Sequence, residues 1–185
     1  MIINDSNGPA LRVTDNGYAL AYTAMMTMEA HSCDGGDAYT ALINIDPNVA
    51  TCDFFYLKNT SDKLLRIYKI KGYTTAVDCE ISLKTGVTGT PTSAVNIVPI
   101  NSLIGSGKTA ECTSQISNGT VSMALTGGNV YDTLFLDKDY IGEQRWHFTS
   151  EITLEKNQTF CMYSNVDPTA AFRFTVYFYF HEKVE

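Results

Sequence analysis

The chain has 185 residues, enough for one domain that buries roughly 70% of its unfolded surface in one core. Charged residues make up only 18% and the formal net charge is −7, which argues against a nucleic-acid-binding surface, and no Lys/Arg cluster offsets it. No apolar run is long enough to span a bilayer. The opening Met1-Ile2-Ile3-Asn4-Asp5-Ser6 lacks the basic and apolar regions of a secretion signal, so synthesis and folding in a cytoplasm are expected.

Residues 1–17 place turn-formers on either side of Leu11-Arg12-Val13-Thr14 and read as an N-terminal arm with one edge strand, leaving 18–185 as a single domain. Residues 18–30 (YALAYTAMMTMEA) have helical propensity through Ala, Met and Leu. The alternation of Tyr18, Leu20 and Tyr22 after Asn-Gly favours a strand with a bend. A Gly-rich loop at 31–37 follows, and 38–46 alternates as a strand before Pro47. Residues 53–59 and 64–71 alternate on either side of a short polar turn at 60–63, which reads as a β-hairpin. Residues 77–84 form the next predicted strand, with Val77, Cys79, Ile81 and Leu83 on one face, and 85–93 a turn-rich connection. A short strand at 95–100 is interrupted by Pro99, the mark of a sheet edge. After a loop at 102–108 come weak strands at 109–117 and 121–125. Strands at 130–136, 145–154 and 159–164 follow, the last two split by the turn Glu155-Lys156-Asn157-Gln158.

The strongest signal lies last. Phe172, Phe174, Val176, Phe178 and Phe180 fall on one face at period two, and Arg173, Thr175, Tyr177, Tyr179 and His181 on the other. That apolar row is a core strand needing a facing layer, and it belongs at the centre of a sheet. About ten short strands with no long helix predict an all-β fold, an antiparallel two-sheet β-sandwich of jelly-roll-like closure.

Candidate chemistry is sparse. The segment from Ser102 to Thr109 ends like a phosphate-binding loop in Gly-Lys-Thr. It has Ser where the motif requires its first Gly, and strand rather than helix is expected to follow. His31, Cys33, Asp34 and Asp37 share one loop, but their spacing matches no established ligand pattern and Asp-Gly-Gly-Asp is also a turn. The cysteines (33, 52, 79, 112 and 161) form no CxxC pair and read as small buried hydrophobes. The Asn-x-Ser/Thr triplets at Asn4, Asn59, Asn118 and Asn157 are of the kind that chance produces in such a composition. No Ser sits in a G-x-S-x-G elbow. Asp137, Asp139, Glu143 and Glu151 are close enough in sequence to supply a carboxylate pair, but a solvated face explains them as well. No catalytic residue, cofactor or metal is therefore expected.

The polar-face aromatics Tyr177 and Tyr179, with His181 and with Trp146 as a candidate neighbour, suit either sugar stacking or burial against another subunit. Aromatics on both faces of one strand favour the latter.

Several segments together resemble the small virion β-sandwich proteins of tailed bacteriophages, in particular capsid decoration or cement proteins. They are residues 54–70 (FFYLKNTSDKLLRIYKI), Gly89-Thr90-Pro91-Thr92 leading to Val98-Pro99-Ile100-Asn101, residues 105–110 (GSGKTA) and residues 152–160 (ITLEKNQTF) before the aromatic strand. They cover about half the chain and include no capsid-contact motif. The resemblance implies a non-enzymatic subunit on the outer capsid surface of the virion. It would bridge and stabilise the major capsid protein, as a homo-oligomer with a trimer favoured, and bind neither nucleic acid nor membrane. Two alternatives stand beside it: a carbohydrate- or receptor-binding sandwich of a tail tip or head fibre, and a sandwich glycoside hydrolase.

Overall fold

A computed structural model describes residues 2–3, 11–13, 19–20, 32, 35–46, 51–74, 78–119, 122–140, 142–165 and 171–183, with 2–3, 11–13, 19–20 and 149 through their backbone alone. Two compact units emerge, residues 1–31 and 32–185, where the sequence reading ended its arm at 17. In the first, β1 (Ile2–Ile3), β2 (Leu11–Val13) and β3 (Ala19–Leu20) form a small antiparallel sheet. Most of the predicted 18–30 segment lies outside the described residues.

The second unit is the expected antiparallel two-sheet β-sandwich. Its strands are β4 (Ala38–Ile45), β5 (Cys52–Asn59), β6 (Leu64–Thr74), β7 (Cys79–Thr88), β8 (Ala94–Asn96), β9 (Ile100–Asn101), β10 (Cys112–Ser117), β11 (Thr126–Leu136), β12 (Gln144–Leu154), β13 (Thr159–Ser164) and β14 (Phe172–His181). A six-stranded sheet runs β11-β7-β13-β5-β10-β8 and a five-stranded sheet β12-β6-β14-β4-β9. The aromatic strand β14 is the middle strand of the second sheet, paired with β6 and β4.

The inner face of β14 makes the core. Phe172, Val176 and Phe178 are wholly buried, and Phe174 and Phe180 nearly so. Across the interlayer, Phe54 of β5 sits 5.4 Å, centroid to centroid, from both Phe172 and Phe174. In the same sheet, Tyr39 of β4 packs 5.8 Å from Phe178 and 5.7 Å from Phe180. Burying each such side chain contributes roughly 1.5–3 kcal/mol. Within the sheet, Phe174 lies against Gly72 of β6, and Val176 stands opposite Ala41 of β4.

The hairpin predicted over 53–71 is corrected. β5 pairs with β10 and β13, whereas β6 pairs with β12 and β14, so the 60–63 turn carries the chain between sheets. The 155–158 turn does the same between β12 and β13. Alternating patterns looked alike because both strands of each pair have a core face. What distinguishes a crossover is that the turn's own polar groups need partners, and Asn59 supplies them. Wholly buried, its Nδ2 donates to the carbonyls of Lys63 (2.8 Å) and Leu154 (2.9 Å), and its Oδ1 accepts from the Ser61 amide (2.9 Å). Its backbone exchanges hydrogen bonds with Asn157 and Gln158, tying the two crossovers together.

Three further boundaries differ. β7 continues through 85–88 and β11 begins at Thr126, because the two strands pair along their whole length. Residues 122–125, expected as a strand, instead lie over the outside of the six-stranded sheet. There Met123 joins Tyr56, Val87 and Cys161 in a second small apolar cluster, and buried Asp53 accepts the Leu125 amide. Pro99 does sit between two edge strands, where the chain leaves β8 of one sheet for β9 of the other.

A Cβ added at Gly72 would stand 2.4 Å from ring carbons of Phe174. Gly72→Ala therefore lowers stability by about 1–3 kcal/mol in a urea unfolding series. Asn59→Ala, which strands two buried carbonyls and an amide, costs roughly 2–3 kcal/mol in the same assay; a cost near zero for either would refute these contacts as determinants of the fold.

Candidate functional site

Strand register places the predicted residues on definite faces. On the outer face of the five-stranded sheet one row reads Ile100, Thr40, Tyr177, Lys69, His147, and the next reads Leu42, Thr175, Lys71, Arg145. Asn44, Arg173 and Tyr73 form a third row, and Tyr179, Arg66 and Thr153 a fourth. The register of β6 against β14 shifts between Tyr177 and Phe178, leaving Tyr68 as an extra residue. Tyr68 thus joins the outer face, its ring 6.1 Å from that of Tyr177 and 5.9 Å from that of Tyr179.

This bulge changes the fate of the expected aromatic platform. Tyr179 is on the outer face but wholly buried, under Tyr68 and the Glu151 side chain. Its hydroxyl donates to both oxygens of the Glu151 carboxylate, at 2.8 and 2.7 Å, and Arg66 pairs with the same carboxylate at 3.2 Å. Tyr177 is half-buried, with the Lys69 ammonium 4.7 Å and the Lys71 ammonium 5.4 Å from its ring centroid. Its hydroxyl hydrogen-bonds Lys71 and holds that ammonium pKa above its usual value. His181 is half-buried at the strand's end. Trp146 is not their neighbour. It stands opposite Ile70, which pairs with Val176, so it is on the inner side and packs against the core.

The face is cationic on an acidic chain. Arg66, Lys69, Lys71, Arg145 and Arg173 gather there against the carboxylates of Glu143 and Glu151. Lys71 and Arg145 both approach Glu143, at 3.5 and 4.0 Å. Sequence reasoning had Arg173 on the correct face but missed the convergence, because Lys69 and Lys71 lie about a hundred residues away and meet it only through register.

The other sequence candidates have structural partners. Lys108, from the loop resembling a phosphate-binding motif, donates to the Gly35 carbonyl (2.7 Å) and pairs with Asp37 (3.1 Å), while Lys63 holds the other Asp37 oxygen at 3.1 Å. Burial alone would raise the Asp37 pKa; hydrogen bonds from Lys108 and Lys63 outweigh it and hold it below the usual value. These groups line a cavity of about 370 Å³ with Tyr39, Ser61 and Glu111, and the Ser61 hydroxyl donates to Glu111 at 2.5 Å. His31, Cys33 and Asp34 lie outside the described residues. Asp137 caps the Asp139 amide at 2.8 Å. Burial pushes the Cys52 thiol up to about 11 and those of Cys79 and Cys112 to about 12, leaving them poor nucleophiles.

Both long sides of the sandwich expose apolar side chains. Val95, Val98, Ile100, Leu103 and Ile104 lie along the β8–β9 side, with Ile104 97% and Val98 82% exposed. At the β11 end of the six-stranded sheet, Val130 and Phe135 stand on the outward-facing side of an edge strand that among the described residues pairs with β7 alone, Phe135 being 69% exposed and opposite Glu80. In comparisons with known proteins, the chain matches no protein-family model, no curated protein and no solved structure.

Burial, then the hydrogen bond to Glu151 and its charge, push the Tyr179 hydroxyl from 10.0 up to about 12. The folded chain thus holds this proton more tightly than the unfolded one. The contribution is complete below pH 10 and lost as pH rises toward about 12. Tyr179→Phe should cost about 1.5–3 kcal/mol at neutral pH. The gap to wild type should close across that alkaline window in paired thermal melts, and a gap independent of pH would contradict the assignment.

Proposed function

We propose that this chain acts by binding rather than catalysis, as a structural subunit of a phage particle: a capsid decoration protein bridging major capsid subunits on the outer surface of the virion. The observation that supports an assembly role is the exposure of large apolar side chains on both open sides of the sandwich, Ile104 and Val98 on one and Phe135 on the other. Contiguous apolar exposure of this kind marks protein contact, and an unpaired edge as long as β11 invites it. The two sides carry different side chains, so copies meeting side to side form a heterologous contact, which gives a ring when the rotation between copies closes, as a three-fold one does. A closed trimer presents three equivalent bases to a shell and buries apolar area against it, stabilising the particle by mass action. The resemblance of residues 54–70, 89–101, 105–110 and 152–160 to phage decoration proteins supplies the virion setting.

Light scattering on the purified chain should give a trimer, and Phe135→Glu and Ile104→Glu should each convert it to monomers with unchanged melting behaviour. A wild-type monomer at micromolar concentration would sink the self-association. In particles of the virus that encodes it, the protein should occur in fixed proportion to the major shell subunit. Absence from particles would overturn the virion reading altogether.

A further inference from the structure

The cationic face carries two adjoining depressions. One, of about 230 Å³, is lined by Leu42, Asn44, Lys71, Tyr73, Glu143 and Arg173 among others. The second, of about 440 Å³, is lined by Tyr73, Thr74, Lys138, Asp139, Tyr140 and Glu143. Tyr73 and Glu143 belong to both, so the two make one groove with a shared wall.

From these residues we infer that the groove is a binding site for an acidic oligosaccharide. Tyr73 and Tyr140 are 37% and 56% exposed, aromatic surfaces of the kind on which the CH faces of sugar rings stack. Asn44, Thr175, Asp139 and Glu143 offer hydrogen-bond groups to hydroxyls along the floor and rim. Arg173 supplies the charge. Its guanidinium is steadied by a hydrogen bond to the Phe172 carbonyl at 3.2 Å and has no salt-bridge partner among the described residues. A planar, pre-positioned guanidinium of this kind suits bidentate contact with a carboxylate or sulfate. Lys71 lines one depression and Lys138 the other; with Arg173 they outnumber the carboxylates of Asp139 and Glu143, and Lys71 pairs with Glu143 at 3.5 Å, so Arg173 and Lys138 supply the positive charge left for a ligand.

A polyanion of another class fits less well. Single-stranded nucleic acid needs a succession of open aromatic faces. Here Tyr177 is approached by two lysines, Tyr179 is buried and Tyr68 packs against both of them, which leaves on this face the two tyrosines of the groove. The groove lies on the outer face of the five-stranded sheet, whereas Phe135 stands on the outer face of the six-stranded sheet, so the two uses can be separated experimentally.

The test is calorimetric titration of the full chain with tetragalacturonate, a heparin tetrasaccharide, neutral maltotetraose and an oligodeoxythymidylate. Binding of a carboxylated or sulfated saccharide, weakened by added salt, is expected, and the two acidic probes tell carboxylate from sulfate. Arg173→Gln and Tyr73→Ala should each weaken it about tenfold, the first through loss of a charge-assisted contact and the second through loss of a stacking surface. Melting curves establish that both variants remain folded. Phe135→Glu should leave the saccharide affinity unchanged even where it changes the oligomer. Three results would overturn the proposal: no binding of either acidic saccharide at millimolar concentration, equal binding of maltotetraose or the oligonucleotide, or affinity indifferent to both groove variants.

Discussion

The packing of one aromatic row into a fitted slot dictates the rest of this sandwich. Phe172, Phe174, Val176, Phe178 and Phe180 project from β14 into the interlayer, where neighbouring rings of the row meet edge to face and Tyr39 closes the row against Phe178 and Phe180. The flanking strands answer with Gly72 and Ala41, and the facing sheet answers with Phe54. β14 must therefore be central, because an edge position would leave one flank of this row in water. The other strands follow from having to enclose it on both sides.

Much of this was legible in the sequence because period-two alternation survives wherever one face is buried. β4, β13 and β14 stand almost where alternation placed them, and Pro99 marked an edge correctly. Connectivity was not legible. Alternation on both sides of a four-residue polar turn is the signature of a hairpin, and it is equally the signature of a crossover between two sheets that share a core. The deciding group was Asn59, whose amide satisfies the turn's carbonyls and the end of β12, a partner 95 residues away in sequence. No local pattern contains that information.

The candidate site was legible in part, and the reason is again local. The outer face of β14 was read correctly, residue by residue, but exposure was inferred from parity alone. One extra residue in β6, Tyr68, turned Tyr179 from a surface platform into a buried group hydrogen-bonded to Glu151. Trp146 went the opposite way, toward the core, because the register of β12 sets it beside Ile70. A bulge on a neighbouring strand leaves no mark on the strand whose residues it covers, so the burial of Tyr179 could not be seen from β14 alone, whereas Trp146 shares its parity with the buried Ile152 and Leu154 of β12, a signal present in the sequence.

Net charge hides the cationic face for a related reason. At −7 the chain is acidic on average, yet Arg66, Lys69, Lys71, Arg145 and Arg173 converge on one side of one sheet. No two consecutive residues of the chain are both basic, so the concentration exists only across strands. A sheet sums charge perpendicular to the sequence, at a spacing of about 5 Å between neighbours, well within a Debye length. The field that an approaching ligand meets is that local sum. A sandwich can therefore be acidic on average, leave large apolar side chains exposed at its edge strands, and still present one cationic face. Strand pairing holds the apolar edges and the cationic face apart, so a change in one need not disturb the other.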